Sequence, residues 1–256
     1  VWGGGWLQKL GVLDFAGGIV VHISSGVSAL VAAIYIGRRR GWPRELMAPH
    51  NLTLTVMGMG ILWFGWFGFN AGSALASDGV AVTAFVSTNV SAAVGTLTWG
   101  FIEWAHRGKP TLLGAMSGAV AGLGSITPAA GFVTPAAAMA IGLVGGGLCY
   151  VAVTMLKPRF GYDDTLDVFG IHGIAGTWGT LATGIFASIG ASGLLHGNPG
   201  LLLKQAIGAS VTIVLSAAGT LAILKVVDMT IGIRVTTEEE IQGLDLTQHE
   251  ESGYTM

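Results

Sequence analysis

Runs of predominantly apolar residues, each close to the roughly 20 that carry a helix across a bilayer, alternate in this chain with short segments that hold nearly all of its charge. The runs lie near residues 16 to 37, 52 to 71, 79 to 104, 111 to 127, 132 to 156, 168 to 188 and 200 to 227, and all seven are expected to be transmembrane helices. The fourth is short, the third ends in Glu103 and Trp104, and residues 189 to 199 read as an apolar loop.

Charge in the connecting segments sets the direction. With seven spans, the segments after the first, third, fifth and seventh share one side of the membrane. They carry Arg38, Arg39, Arg40, Arg44, Arg107, Lys109, Lys157, Arg159, Lys225 and Arg234, leaving only Lys9 and Lys204 opposite. The positive-inside rule then puts the N-terminal end outside and the tail in the cytoplasm. Residues 1–227 are read as a transmembrane domain and 228–256 as a cytoplasmic tail.

Composition narrows the class further. Hydrophobic residues make up 52% of the 256 and charged ones 10%, against about 25% charged in soluble domains, so the expected fold is an all-α membrane protein. The 42 glycines have no collagen period and suit helices packed backbone to backbone. Gly118 with Gly122, and Gly142 with Gly146, have the small-xxx-small spacing of such pairs. One cysteine, Cys149, cannot make a disulfide or a thiolate metal site within a single chain, and it reads as lipid-facing or core filler. A net charge of −2 with dispersed basic residues gives no nucleic-acid surface. The chain opens on Val1 without the charged and apolar regions of a signal peptide, and is expected to start inside a larger protein.

Two histidines stand out because ionisable groups at bilayer depth mark function by default. His22 lies in DFAGGIVVHISSG and His172 in DVFGIHGIAGTWG, each flanked by small residues and preceded by an aspartate, Asp14 or Asp167. Spans one and six run in opposite directions, as an inverted repeat would produce. At the helical rise, His22 lies about 12 Å beyond Asp14 and His172 about 8 Å beyond Asp167 in a core of about 30 Å. Spacing alone therefore leaves a vertical gap of about 10 Å, which helix tilt or submerged aspartates would close. His50, His106, His196 and His249 fall in loops or the tail and are expected to be solvated, as are Asp163, Asp164 and Asp167 in a turn that caps the sixth helix.

In the order DFAGGIVVH, GWFGFNAGS, EWAHRGKPTLLGAMSGAVAGL, TPAAGFV and DVFGIHG, with DMTIGIRVTTEEEIQGLD in the tail, the chain resembles the ammonium transporter family Amt/Mep. That resemblance implies a helical channel of eleven spans, built from two inverted five-helix repeats and a last long helix. The spans here would be helices five to eleven, with the first four absent. It further implies a homotrimer with one pore per subunit, in the plasma membrane, and a tail that couples subunits and meets PII signal proteins in bacteria and archaea. Residue by residue, His22 and His172 match the paired pore histidines, whose imidazoles meet edge to edge. Trp2 and Ser73 match the outer ammonium recruitment site, Phe69 a phenylalanine gate below it, and Asp14 a residue that orders that site. Gly232, Arg234 and Asp245 fall at structural or regulatory positions of the tail. No cofactor, metal or enzymatic activity is implied.

These residue types suit ammonium. An aromatic face attracts a desolvating cation by about 0.5 to 2 kcal/mol, and a hydroxyl accepts an N–H bond that potassium cannot offer. Beyond the gate an apolar lumen favours neutral ammonia over the ion, and neutral imidazoles supply one donor and one acceptor each for a separate proton relay. Without the resemblance, Trp2 reads as an interfacial aromatic and Phe69 as packing. A retinal photoreceptor would need a lysine inside a helix, and Lys204 and Lys225 sit at the ends of span seven. An intramembrane hydrolase would need a nucleophile or metal set beside the histidines. The closer alternatives are an ammonium sensor on the same fold and a Rhesus-type ammonia channel.

Overall fold

The computed structural model describes residues 1–45 and 47–253. Regular structure among the described residues is helical: α1 (Trp6–Leu10), α2 (Gly18–Ile36), α3 (Leu52–Gly72), α4 (Gly79–Arg107), α5 (Leu112–Ile126), α6 (Pro135–Phe160), α7 (169–186), α8 (Pro199–Thr230), and in the tail α9 (Thr237–Gln242) and α10 (Leu244–His249), with a single 3-10 turn at Leu194–His196. The starts are chemically marked. Asn51, Asp78, Thr111 and Thr134 each accept a backbone N–H from the first turn of α3, α4, α5 and α6, satisfying donors that a helix leaves orphaned.

Several helix ends lie beyond the apolar pattern, that of α8 reaching Thr230. α4 continues past Trp104 to Arg107 and stops at Gly108, whose φ of 79° suits a left-handed cap. α6 continues past residue 156, where a wider π-helical turn over Ala152–Leu156 precedes one further turn through Pro158 to Phe160. Five helices are long and apolar enough to cross a membrane: α2, α3, α4, α6 and α8. The 15 residues of α5 reach only about 22 Å, and α7 is diluted by glycines, threonines and His172. Five of the seven helices that the sequence pattern predicts thus meet this length and apolarity.

Glycine sets the helix spacing. Gly118 and Gly122 of α5 lie against Gly95 and Ser91 of α4, and Gly142 and Gly146 of α6 press on the same two residues. Ser91 Oγ donates to the Gly122 carbonyl at 2.8 Å across this contact. α2 and α7 cross with Gly26 on Gly173 and Gly176 on His22, so their backbones meet where the histidines sit. α8 packs along both. Cys149 is fully buried, its Sγ 3.6 Å from the Ile171 carbonyl, and so belongs to the core and not to the lipid face.

A side chain at Gly122 would collide with the Ser91 carbonyl and Ala92 Cα, whereas one at Gly60 meets nothing within 4 Å. Gly122→Val is expected to destabilise the helix packing by about 1–3 kcal/mol. Gly60→Ala should leave thermal unfolding in detergent unchanged, and comparing the two melting curves checks the assignment.

Candidate functional site

The segment before each central histidine is built around a buried aspartate. The Asp14 carboxylate accepts N–H bonds from Gly17 (3.1 Å) and Gly18 (2.7 Å) at Oδ1 and from Ile19 (2.9 Å) and Val20 (3.2 Å) at Oδ2. It thus satisfies the orphan donors at the start of α2 and places negative charge at the positive end of the helix dipole. The first turn of α2, Gly18–Ile23, is π-helical and carries His22. In the other half, Asp164 Oδ2 accepts the Phe169 N–H at 2.8 Å, and the π-helical turn Phe169–Gly173 carries His172. Wide turns of this kind are often found at functional sites.

The registers match: five residues from aspartate to capped amide and eight to histidine, in 14, 19, 22 and in 164, 169, 172. The counterpart of Asp14 is therefore Asp164, not Asp167. Asp167 sits at φ 56° with its carboxylate 2.7 Å from Lys157 Nζ. With equal offsets the vertical gap inferred from Asp167 disappears. Asp163 and Asp164, each 4% exposed, are also not solvated, because the Arg39 side chain and backbone N–H groups replace their water. The capping role holds for Asp164.

At the crossing, His22 Nδ1 and His172 Nδ1 are 3.0 Å apart, the rings meeting edge on in planes 19° from parallel. His22 Nε2 lies 3.3 Å from Thr127 Oγ1. The Thr127 hydroxyl donates its one proton to the Leu123 carbonyl at 2.8 Å and accepts from Trp66 Nε1–H at 3.0 Å. It can only accept from His22 as well. The geometry therefore assigns a proton to His22 Nε2, makes His22 Nδ1 the acceptor of a bond from His172 Nδ1–H, and leaves His172 Nε2 as the accepting end of the pair.

The Trp66 indole stacks on His22, 5.2 Å between centroids and 11° from parallel, and Phe69 lies edge-on to both rings. Trp66 and Phe69 join the two histidines, Val21 and Ile61 around an apolar cavity of about 520 Å³. Trp66 and Thr127 belong to this site, yet the sequence pattern does not single them out. Trp66 stands one turn before Phe69 in GWFGF, and Thr127 opens TPAAGFV, which were the available signals.

The remaining site residues are held by backbone. Trp2 Nε1–H donates to the Asp14 carbonyl at 2.9 Å, leaving the ring half exposed. Ser73, just past α3, donates to the Phe69 carbonyl at 2.7 Å, so its oxygen keeps lone pairs for a ligand. The structure thus gathers His22, His172 and Phe69 at one cavity and ties Trp2 to Asp14. Among the described residues, no group of three or more His, Cys, Asp or Glu could hold a metal ion.

The tail folds back on the segment after α2. Gly232, at φ 77°, makes the turn, and Arg234 then donates to the Ile36 and Arg38 carbonyls at 2.9 and 2.7 Å and pairs with Glu240 at 3.0 Å. Glu238, Glu239 and Glu240 start α9, where Glu239 completes a capping box with Thr236. Asp245 accepts N–H bonds from Glu251 and Gly253, closing the last turn. On the same face, Arg39 grips Asp163 with two side-chain bonds of 2.9 and 2.8 Å and its own N–H at 2.8 Å. Burial opposes ionisation of Asp163, but the bonds from Arg39 outweigh it and hold the carboxyl below its ordinary range.

A profile of the Ammonium Transporter Family matches residues 1–254. The chain belongs to the ammonium transporter family. It is 54% identical to an ammonium transporter of Bacillus subtilis over 259 residues, covering 99% of this chain and 64% of that protein. Its fold matches a crystal structure of Candida albicans Mep2 with a TM-score of 0.87 at 38% identity, over 96% of this chain and 58% of that one. A structure described as a sensor Amt protein matches with a TM-score of 0.89 at 33% identity, over 95% of this chain and 62% of that one. The chain thus spans somewhat less than two thirds of the length of these relatives. Family membership and apolar helices together make it part of an integral membrane protein.

Because the Asp163 carboxyl is held below its unfolded value, its stabilisation is complete above about pH 4 and is lost as pH falls through the folded value. Asp163→Asn is expected to lower stability at pH 7 by about 1.5–3 kcal/mol. The gap between the two proteins should narrow as pH falls below about 4 and the carboxyl protonates; denaturation followed at neutral and acid pH checks it.

Proposed function

We propose that this chain forms the histidine-bearing part of a transporter that takes up ammonium across the plasma membrane. The observation that carries the reading is the 3.0 Å contact between His22 Nδ1 and His172 Nδ1 on the wall of an apolar cavity. Ammonium is recruited by the face of Trp2 and the hydroxyl of Ser73, gives its proton to water at the outer mouth, and passes Phe69 as ammonia. Ammonia then crosses the apolar lumen, where a bare cation would be costly, and donates an N–H bond to His172 Nε2. The proton shared between His172 Nδ1 and His22 Nδ1 gives the pair the element of a proton relay separate from ammonia.

The reading extends to the assembly. Ten of the twelve basic residues favour an outside N-terminal end and a cytoplasmic tail. The protein works as a homotrimer with one pore per subunit, and the tail, turned at Gly232, clamped by Arg234 and closed at Asp245, couples subunits and receives a PII signal protein. Likeness to the sensor Amt protein favours a second reading, ammonium sensing without flux, on the same fold.

Flux in proteoliposomes separates the two, using the chain extended to the length of its relatives. Transport predicts ammonium and methylammonium flux that His172→Ala changes in rate or in discrimination against potassium; unchanged rate and selectivity would sink the paired-histidine reading, and no flux in either protein would favour sensing. Thr127→Val removes the acceptor that holds the proton on His22 Nε2. It is expected to slow flux while leaving the half-saturating concentration unchanged, which concentration-dependent flux measures.

A further inference from the structure

Gln205 of α8 is fully buried, and its carboxamide is used entirely on main chain. Oε1 accepts the Leu13 N–H at 2.7 Å, while Nε2 donates to the Leu13 carbonyl at 2.7 Å and to the Thr180 carbonyl of α7 at 3.2 Å. Leu13 lies outside any helix, so no regular ladder provides for its N–H and carbonyl. One side chain, 192 residues away in sequence, supplies both partners as a neighbouring strand would.

The position of Leu13 matters because the next residue is Asp14. The Asp14 carbonyl holds the Trp2 indole, and the Asp14 carboxylate caps the turn that carries His22. The polypeptide between Gln205 and the Trp2 ring is therefore a single peptide unit and one hydrogen bond. A Gln205 that served only to fasten α8 to α7 would need the Thr180 contact alone; two of its three bonds go to the residue beside Asp14.

We propose that Gln205 is a positioning residue for the outer ammonium site, clamping Leu13 so that the Asp14 carbonyl fixes the orientation of Trp2. This rests on the recruitment role proposed for Trp2. Gln205 acts on recruitment through Trp2 and has no contact of its own with the substrate.

Concentration-dependent methylammonium flux in proteoliposomes, again with the chain at the length of its relatives, tests it with Trp2→Leu, Gln205→Leu and the double variant. Losing the oriented ring should raise the half-saturating concentration about three- to tenfold. Gln205→Leu should match Trp2→Leu in this, with the maximal rate per folded protein held within about twofold. The double variant should be no worse than Trp2→Leu alone, since coupled residues are not additive. Gln205→Glu, which in its neutral form keeps the Leu13 N–H bond and can donate to one carbonyl, should fall between and serves if the leucine variant does not fold. A half-saturating concentration that Trp2→Leu raises but neither Gln205 variant moves overturns the positioning role alone. So does a double variant whose effect is the product of the single ones. A Trp2→Leu protein with unaltered half-saturation overturns the recruitment reading, and this proposal with it.

Discussion

A backbone that turns inside a bilayer must satisfy its N–H groups from within, because no water is there to do so. In this chain that constraint falls hardest just before α2, where the main chain enters a helix at buried depth, and the Asp14 carboxylate meets it by accepting four successive amides. The same carboxylate fixes the phase of the π-helical turn and so the direction of His22. Asp164 does the equivalent for His172 with one amide. Its second neighbour in the turn, Asp167, is neutralised by Lys157. The contact between the histidines is set by these two anchors together with the close crossing at Gly26, Gly173 and Gly176.

The two halves share a backbone plan but not an environment. Asp14 is enclosed by its own turn and touches the site that Trp2 occupies, whereas Asp164 sits in a charged cluster with Arg39, Asp163, Lys157 and Asp167. That cluster adjoins the segment on which Arg234 and Glu240 fasten the tail. One end of the molecule thus holds its histidine-bearing helix by main-chain amides alone, and the other by a main-chain amide with ion pairs beside it, which salt and charge-altering modification can reach.

The helical architecture was legible because composition and apolar length are one-dimensional properties, and the paired histidines stood out because polar groups at that depth are rare. The chain also showed its packing glycines, since Gly118, Gly122, Gly142 and Gly146 keep a fixed spacing. What it hid depends on three-dimensional register. Asp164 and Asp167 are both acidic and both precede His172, and only the capped amide at Phe169 tells them apart. Trp66 reads as one aromatic among many in WFGWFGF until its ring is found stacked on His22. Gln205 is one of several polar residues in a 32-residue helix, and its partners at Leu13 lie 192 residues away.

Two imidazoles presented on π-helical turns of matching register would ordinarily have two equivalent protonation patterns, differing only in which ring donates. Thr127 removes that degeneracy. Its hydroxyl, already committed to Leu123 and already receiving Trp66, accepts from only one of the rings. The two turns that carry the histidines keep the same register, but the hydrogen bonds between the rings run one way, from His172 to His22 to Thr127.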